Sequence, residues 1–132
     1  MGGLLMATIE HKDLGENQIS VDSFIVYSAL WDRSAILKFG IVTRLATREE
    51  RWRGEVQPRP TIRVITVDRK VNHDTGDYEW VLQKKGGEVT LGFTDRVLHV
   101  PPYLVPNRVK NLLTDARDRW TCLHRAPSPG CS

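Results

Sequence analysis

Between residues 19 and 100 apolar and polar positions alternate in short runs, and beyond residue 106 the spacing lengthens to that of a helix. Residues 19–27 open the pattern with β-branched and aromatic types and predict a first strand. A loop over 28–34, with Trp31, Asp32 and Arg33, leads to a second strand over 35–45. There Leu37, Phe39, Ile41 and Leu45 share a face, and Gly40 fits a bulge or a sharp bend. A third strand is predicted over 61–67, and Asn72, Asp74 and Gly76 give residues 68–77 the chemistry of a turn. The fourth strand, 78–83, sets Tyr78, Trp80 and Leu82 on one face. The run Lys84-Lys85-Gly86-Gly87 then predicts a tight hairpin into 88–93, where Val89, Leu91 and Phe93 alternate. Residues 96–100 continue or close the sheet. Five to six short strands separated by turns predict a mostly β fold, a small barrel or sandwich.

The C-terminal element has a different period. Pro106 suits the first turn of a helix, and Val109, Leu112, Leu113, Ala116 and Trp120 then form an apolar stripe at helical spacing. A helix over 106–122 follows, with Asp115 and Arg119 four apart on its exposed side. Residues 1–18 lack a pattern and are expected to be a mobile arm. Residues 123–132, with their Pro, Ser and Gly, are expected to be a disordered tail. One domain, 19–122, remains between them. A chain of 132 residues suits that count, and its 40% hydrophobic content is enough for a core without disulfides or metal.

Charge sharpens the picture in one place. The net charge is only +3, which permits nucleic acid or an acidic protein as partner and demands neither. From residue 44 to 63, however, six arginines stand against three glutamates, an excess equal to that of the whole chain. Only two cysteines occur, Cys122 and Cys131, both near the C-terminus, which favours a reducing, cytoplasmic setting over a disulfide framework. The opening Met1-Gly-Gly-Leu-Leu-Met6 has no basic and long apolar signal pattern, and Met6 stands where a myristoylation motif wants Ser or Thr. Residues 1–5 are taken as an upstream start, with Met6 an alternative first residue. No run reaches the length of a membrane span.

Catalytic and metal chemistry find little support. His73, Asp74 and Asp77 lack the spacing of a Ca²⁺ loop, and Cys122, His124 and Cys131 offer three ligands at the edge of the expected tail. No Gly-x-Ser-x-Gly occurs, His99 falls within a strand, and Lys84-Lys85-Gly86-Gly87 is no phosphate loop. The expectation is therefore a non-enzyme with no catalytic residue, no metal and no cofactor. The informative stretch is the polar connection 46–60, too long for a minimal strand link. Arg48, Arg51 and Arg53 can position a phosphate backbone, and Trp52 among them can stack on a base or fill a protein pocket. The plain alternative is a solvated loop whose Trp52 folds back on the barrel. Trp31 in the first loop is a second candidate contact, with a core-capping role as its alternative.

The run Asp22-Ser-Phe-Ile-Val-Tyr27, a short charged loop, and Leu37-Lys-Phe-Gly-Ile-Val-Thr-Arg-Leu45 together resemble the small SH3-like barrels, KOW-type ones included. More narrowly the chain resembles small uncharacterised proteins of actinobacteriophages, with Trp80-Val-Leu-Gln-Lys-Lys-Gly86 and Val89-Thr-Leu-Gly-Phe93 in the same style. That resemblance, over residues 19–100, implies an SH3-like barrel of five to six strands with the helix packed against it. It also implies a phage accessory protein, working in the host cytoplasm and engaging a host protein or nucleic-acid machinery through 46–60. A direct nucleic-acid binder and a virion or assembly component are the alternatives.

Overall fold

The computed structural model describes residues 10–31, 34–92 and 94–124, with the side chains of Leu30, Trp31, Ser34, Ala35, Trp52 and Asp95 outside the described set. Its strands are β1 (Phe24–Trp31), β2 (Ser34–Trp52), β3 (Glu55–Val71), β4 (Tyr78–Leu82), β5 (Val89–Leu91) and β6 (Val97–Val100), followed by helix α1 (Asn107–His124). All pairings are antiparallel, in the order β4-β3-β2-β1-β6, and β5 joins the same edge of β3 as β4.

The fold is mostly β, as the alternation predicts, but the sheet stays open, so the expected barrel does not form. The reason lies in how its two faces are covered. The middle of β3, Val64 to Val67, is buried at every position, so both faces of the sheet need a cover. On one face α1 lays Val109, Leu113, Ala116 and Trp120 over Phe24, Ile41, Ile65 and Val67, with Leu112 partly buried beside them. On the other, Ile19 and the β5 residues Val89 and Leu91 pack with Ile25, Tyr27, Val42, Ile62 and Val64. Two layers thus bury what closure would have buried. The helix stripe is the predicted one, and the Pro106 carbonyl accepts the first helical bond from Lys110 at 2.9 Å. Among the described residues no helix is long and apolar enough to cross a membrane.

Several local expectations change. The loop expected over 28–34 is largely strand, since Trp31 ends β1 opposite Ser34 at the start of β2; Asp32 and Arg33 lie outside the described residues. Gly40 is in regular register, and what it provides is clearance: a Cβ there would meet the Ile65 carbonyl oxygen at 3.2 Å. The bulge sits at Thr43, where the β2–β3 register slips. The hairpin expected at Lys84–Gly87 is also absent, because β4 and β5 pair with β3 and not with each other. Lys84 and Lys85 take left-handed backbone there (φ 50° and 54°), a conformation that costs non-glycine residues on the order of 1 kcal/mol each.

Residues 10–18, assigned from the sequence to an N-terminal arm, lie on the sheet. A turn bridged between Lys12 and Gln18 docks on the outer edge of β6, with the Leu14 N–H donating to the Val97 carbonyl at 2.9 Å. The buried Asp13 carboxylate accepts backbone N–H bonds from His99 and Asn17, both at 2.7 Å. Burial alone would raise its pKa, but these bonds hold it below the ordinary 3.8. A lowered carboxylate pKa stabilises the fold above the unfolded value and loses that stabilisation as pH falls through the folded one. Thermal stability should therefore hold from neutral pH to about pH 5 and decline in more acidic solution. Asp13→Asn should cost about 1–3 kcal/mol at neutral pH, with the gap closing in acid. Melts of both proteins across that range test this; a gap that stays constant into acid contradicts it.

Candidate basic surface of the ribbon and helix end

The stretch 46–60, expected as a loop, is the outer part of a two-stranded ribbon. Nine cross-strand pairs run from Arg44↔Arg63 to Trp52↔Glu55. Arg53 and Gly54 close it with φ of 52° and 80°, left-handed at both central positions, as a type I′ hairpin turn requires. Pro58 and Pro60 are compatible with this because, among the described residues, neither flank of the ribbon carries a third strand there: a proline nitrogen facing outward leaves no ladder bond unmade. At the base, the His11 ring nitrogen Nε2 donates to the Ala46 carbonyl at 2.7 Å.

Register sorts the charges. Arg44 and Arg63 face each other across the ribbon, as do Arg48 and Arg59, so these four arginines share one face. On it Arg59 pairs with Glu50. Leu45, Thr47, Glu49 and Arg51 fall on the other face, opposite Ile62, Pro60, Pro58 and Val56.

The base of the arginine face is fixed by Glu88, whose side chain is only 9% exposed. Arg44 donates to its two carboxylate oxygens at 3.2 and 2.6 Å, and Arg63 approaches within 3.8 Å. The bulged Thr43 hydroxyl reaches both the same carboxylate and the Arg63 carbonyl. Burial would raise the Glu88 pKa; Arg44, Thr43 and Arg63 instead hold it below the ordinary 4.5. The carboxylate is thus tucked under the arginines, which stay about half exposed.

Arg44 also lies over the Trp120 ring, 5.6 Å from its centroid, and so connects the ribbon to α1. Trp120 borders a cleft of about 310 Å³ between the last turns of α1 and the Lys84–Gly87 turn. Its described lining holds Lys84, Lys85, Arg119 and His124 and no carboxylate. One basic surface therefore runs from the ribbon face to the helix end.

Of the residues singled out from the sequence, Arg48, Arg51, Trp52 and Arg53 all lie on the outer half of the ribbon. Arg48 and Arg51 are exposed on opposite faces, Arg53 is exposed at the turn, and Trp52 is the last residue of β2 with its side chain outside the described residues. Trp31 is not brought to them: it pairs with Ser34, at the other end of β2 from Trp52, and its side chain also lies outside the described residues. Sequence reasoning missed Arg44, Arg63, Lys85, Arg119 and His124 as one surface. The available signal for the ribbon was Gly54, which a two-residue hairpin turn favours. Among the described residues no three His, Cys, Asp or Glu side chains group as a metal site; Cys131 is outside that set. No family model matches the chain, and no curated protein or solved structure matches it.

Proposed function

We propose that the chain is a non-enzymatic nucleic-acid-binding module that presents its β2–β3 ribbon and the adjoining helix-end cleft to a phosphate backbone. The observation that carries this reading is the register that puts Arg44, Arg48, Arg59 and Arg63 on one face of a two-stranded ribbon. Such a ribbon has the width to enter the major groove of duplex DNA, and arginine forks suit phosphate oxygens and guanine edges. Glu50 and Glu49 temper the field of the ribbon, so the helix-end cations add to the contact.

Fluorescence anisotropy with a short labelled duplex, repeated over a salt series, tests the reading. With four or five phosphates contacted, log K should fall against log salt with a slope of about −3 to −5. No binding in low salt, or an affinity indifferent to salt, rules it out.

A second reading, a module for a protein partner, draws on a different surface. Beyond the edge of α1 the sheet leaves Leu37 and Tyr78 exposed beside Phe39, Trp80 and Arg69, around a hollow of about 420 Å³. Arg69 lies 4.3 Å from the Tyr78 ring centroid, the kind of aromatic and arginine grouping that dominates protein interfaces. Capture insensitive to salt and lost on Tyr78→Ala would favour this surface over the ribbon.

A further inference from the structure

The sheet face opposite α1 holds a cleft of about 460 Å³ whose described lining includes Tyr27, Lys38, Lys70, Gln83, Lys84 and Thr90. It exists because β4 and β5 share one edge of β3, and the chain between them swings outward through the left-handed Lys84–Lys85 turn. Three lysines and no carboxylate are among its described lining residues.

The site is held by a fixed network. The Gln83 side-chain oxygen accepts from the Thr66 hydroxyl at 2.6 Å and from the Lys38 ammonium at 3.1 Å, while its nitrogen donates to Asp68 at 3.4 Å. Lys38 is therefore placed with two N–H groups left to offer. The Tyr27 phenol is buried beside Thr66; burial and the nearby Asp68 raise its pKa against the lowering effect of its hydrogen bond with the Thr66 side chain. Of the neighbouring acids, Asp68 belongs to this network through Gln83, and Glu79, opposite Lys70 in register, accepts from Asn72 at 2.8 Å.

We propose that this cleft is a binding site for a phosphate-bearing ligand, held by Lys38, Lys70 and Lys84. Its volume lies within the range of small-molecule sites, and three ammonium groups around one opening match a di- or triphosphate in charge. The site is on the face away from Arg44, Arg48, Arg59 and Arg63 and shares only Lys84 with the helix-end cleft, so Lys38 and Lys70 test it separately from the nucleic-acid reading. Two sources share the chemistry, a free nucleotide or polyphosphate and a nucleic-acid backbone, and the probes separate them.

Isothermal titration of the full chain in low salt with pyrophosphate, with ATP and with a short oligothymidylate is the test. Saturable one-to-one binding of pyrophosphate or ATP is expected, weakened roughly tenfold by Lys38→Met and by the more exposed Lys70→Met. The ribbon variant Arg48→Ala/Arg51→Ala should leave that binding unchanged. Tighter binding of ATP or pyrophosphate than of oligothymidylate assigns a free phosphate ligand; tighter oligothymidylate binding, still sensitive to Lys38 and Lys70, assigns a nucleic-acid backbone. No saturable binding of any probe at millimolar concentration overturns the proposal, as does an affinity unaffected by both lysine substitutions in variants that melt like the parent.

Discussion

Trp120→Ala should lower the unfolding free energy by about 3–5 kcal/mol and the melting temperature by roughly 10–25 °C. Trp120 is 6% exposed and belongs to the cluster that α1 forms with Phe24, Ile41, Ile65 and Val67. Its ring also stacks on His124, with centroids 4.9 Å apart, and lies beneath the Arg44 guanidinium. Most of the stability of a helix in a folded protein comes from packing of its apolar face, which in α1 is this cluster. Truncation leaves a void at the last turns and removes the ring against which Arg44 rests. Leu123→Ala, three residues on and 63% exposed, is the control and should change stability by no more than about 0.5 kcal/mol. Equal melting temperatures for Trp120→Ala and the parent would mean that the last turns of α1 do not hold the sheet.

That helix was legible in the sequence because one buried stripe on an otherwise polar helix leaves a period of 3.6. Val109, Leu113, Ala116 and Trp120 are buried where the stripe puts them. The ribbon was not legible, for the converse reason. Alternation marks a strand only when one of its faces is buried, and from Thr47 to Arg59 both faces of the ribbon are largely solvated. Pro58 and Pro60, which suggest a loop, are tolerated because they sit on an outer edge. The open sheet was missed through a related ambiguity. The run Val64 to Val67 with Thr66 inside it signals a strand covered on both faces, but not whether closure or extra layers supply the cover. No local pattern marks the docking of residues 10–18, since it depends on partners as distant as Ala46 and His99.

Arg48→Ala, Arg51→Ala and Arg53→Asn, combined, should weaken duplex binding by about tenfold or more while leaving the fold intact. All three side chains are exposed, so removing them should alter stability by about 0.5 kcal/mol or less. Asparagine suits the left-handed position at 53 better than arginine, which protects the turn while taking away its charge. Only Arg48 lies on the face shared with Arg44, Arg59 and Arg63, with Arg53 at the turn beyond it, so the log-affinity against log-salt slope should flatten by about 1–2 units. The partial loss from Arg48→Ala alone locates the contact on the face shared with Arg44, Arg59 and Arg63; loss from Arg51→Ala alone points to the opposite face. Removing a negative charge from the ribbon should have the reverse effect. Glu49 is exposed on the Arg51 face with Pro58 opposite it, so Glu49→Lys should tighten binding and steepen the slope by about one unit if that face also meets phosphate. Anisotropy titrations of the parent, the triple variant and Glu49→Lys at matched salt decide the matter. A triple variant that binds with the parent's affinity and slope removes the outer ribbon from the interface and leaves the helix-end cleft, with Lys85 and Arg119, as the remaining basic surface to test.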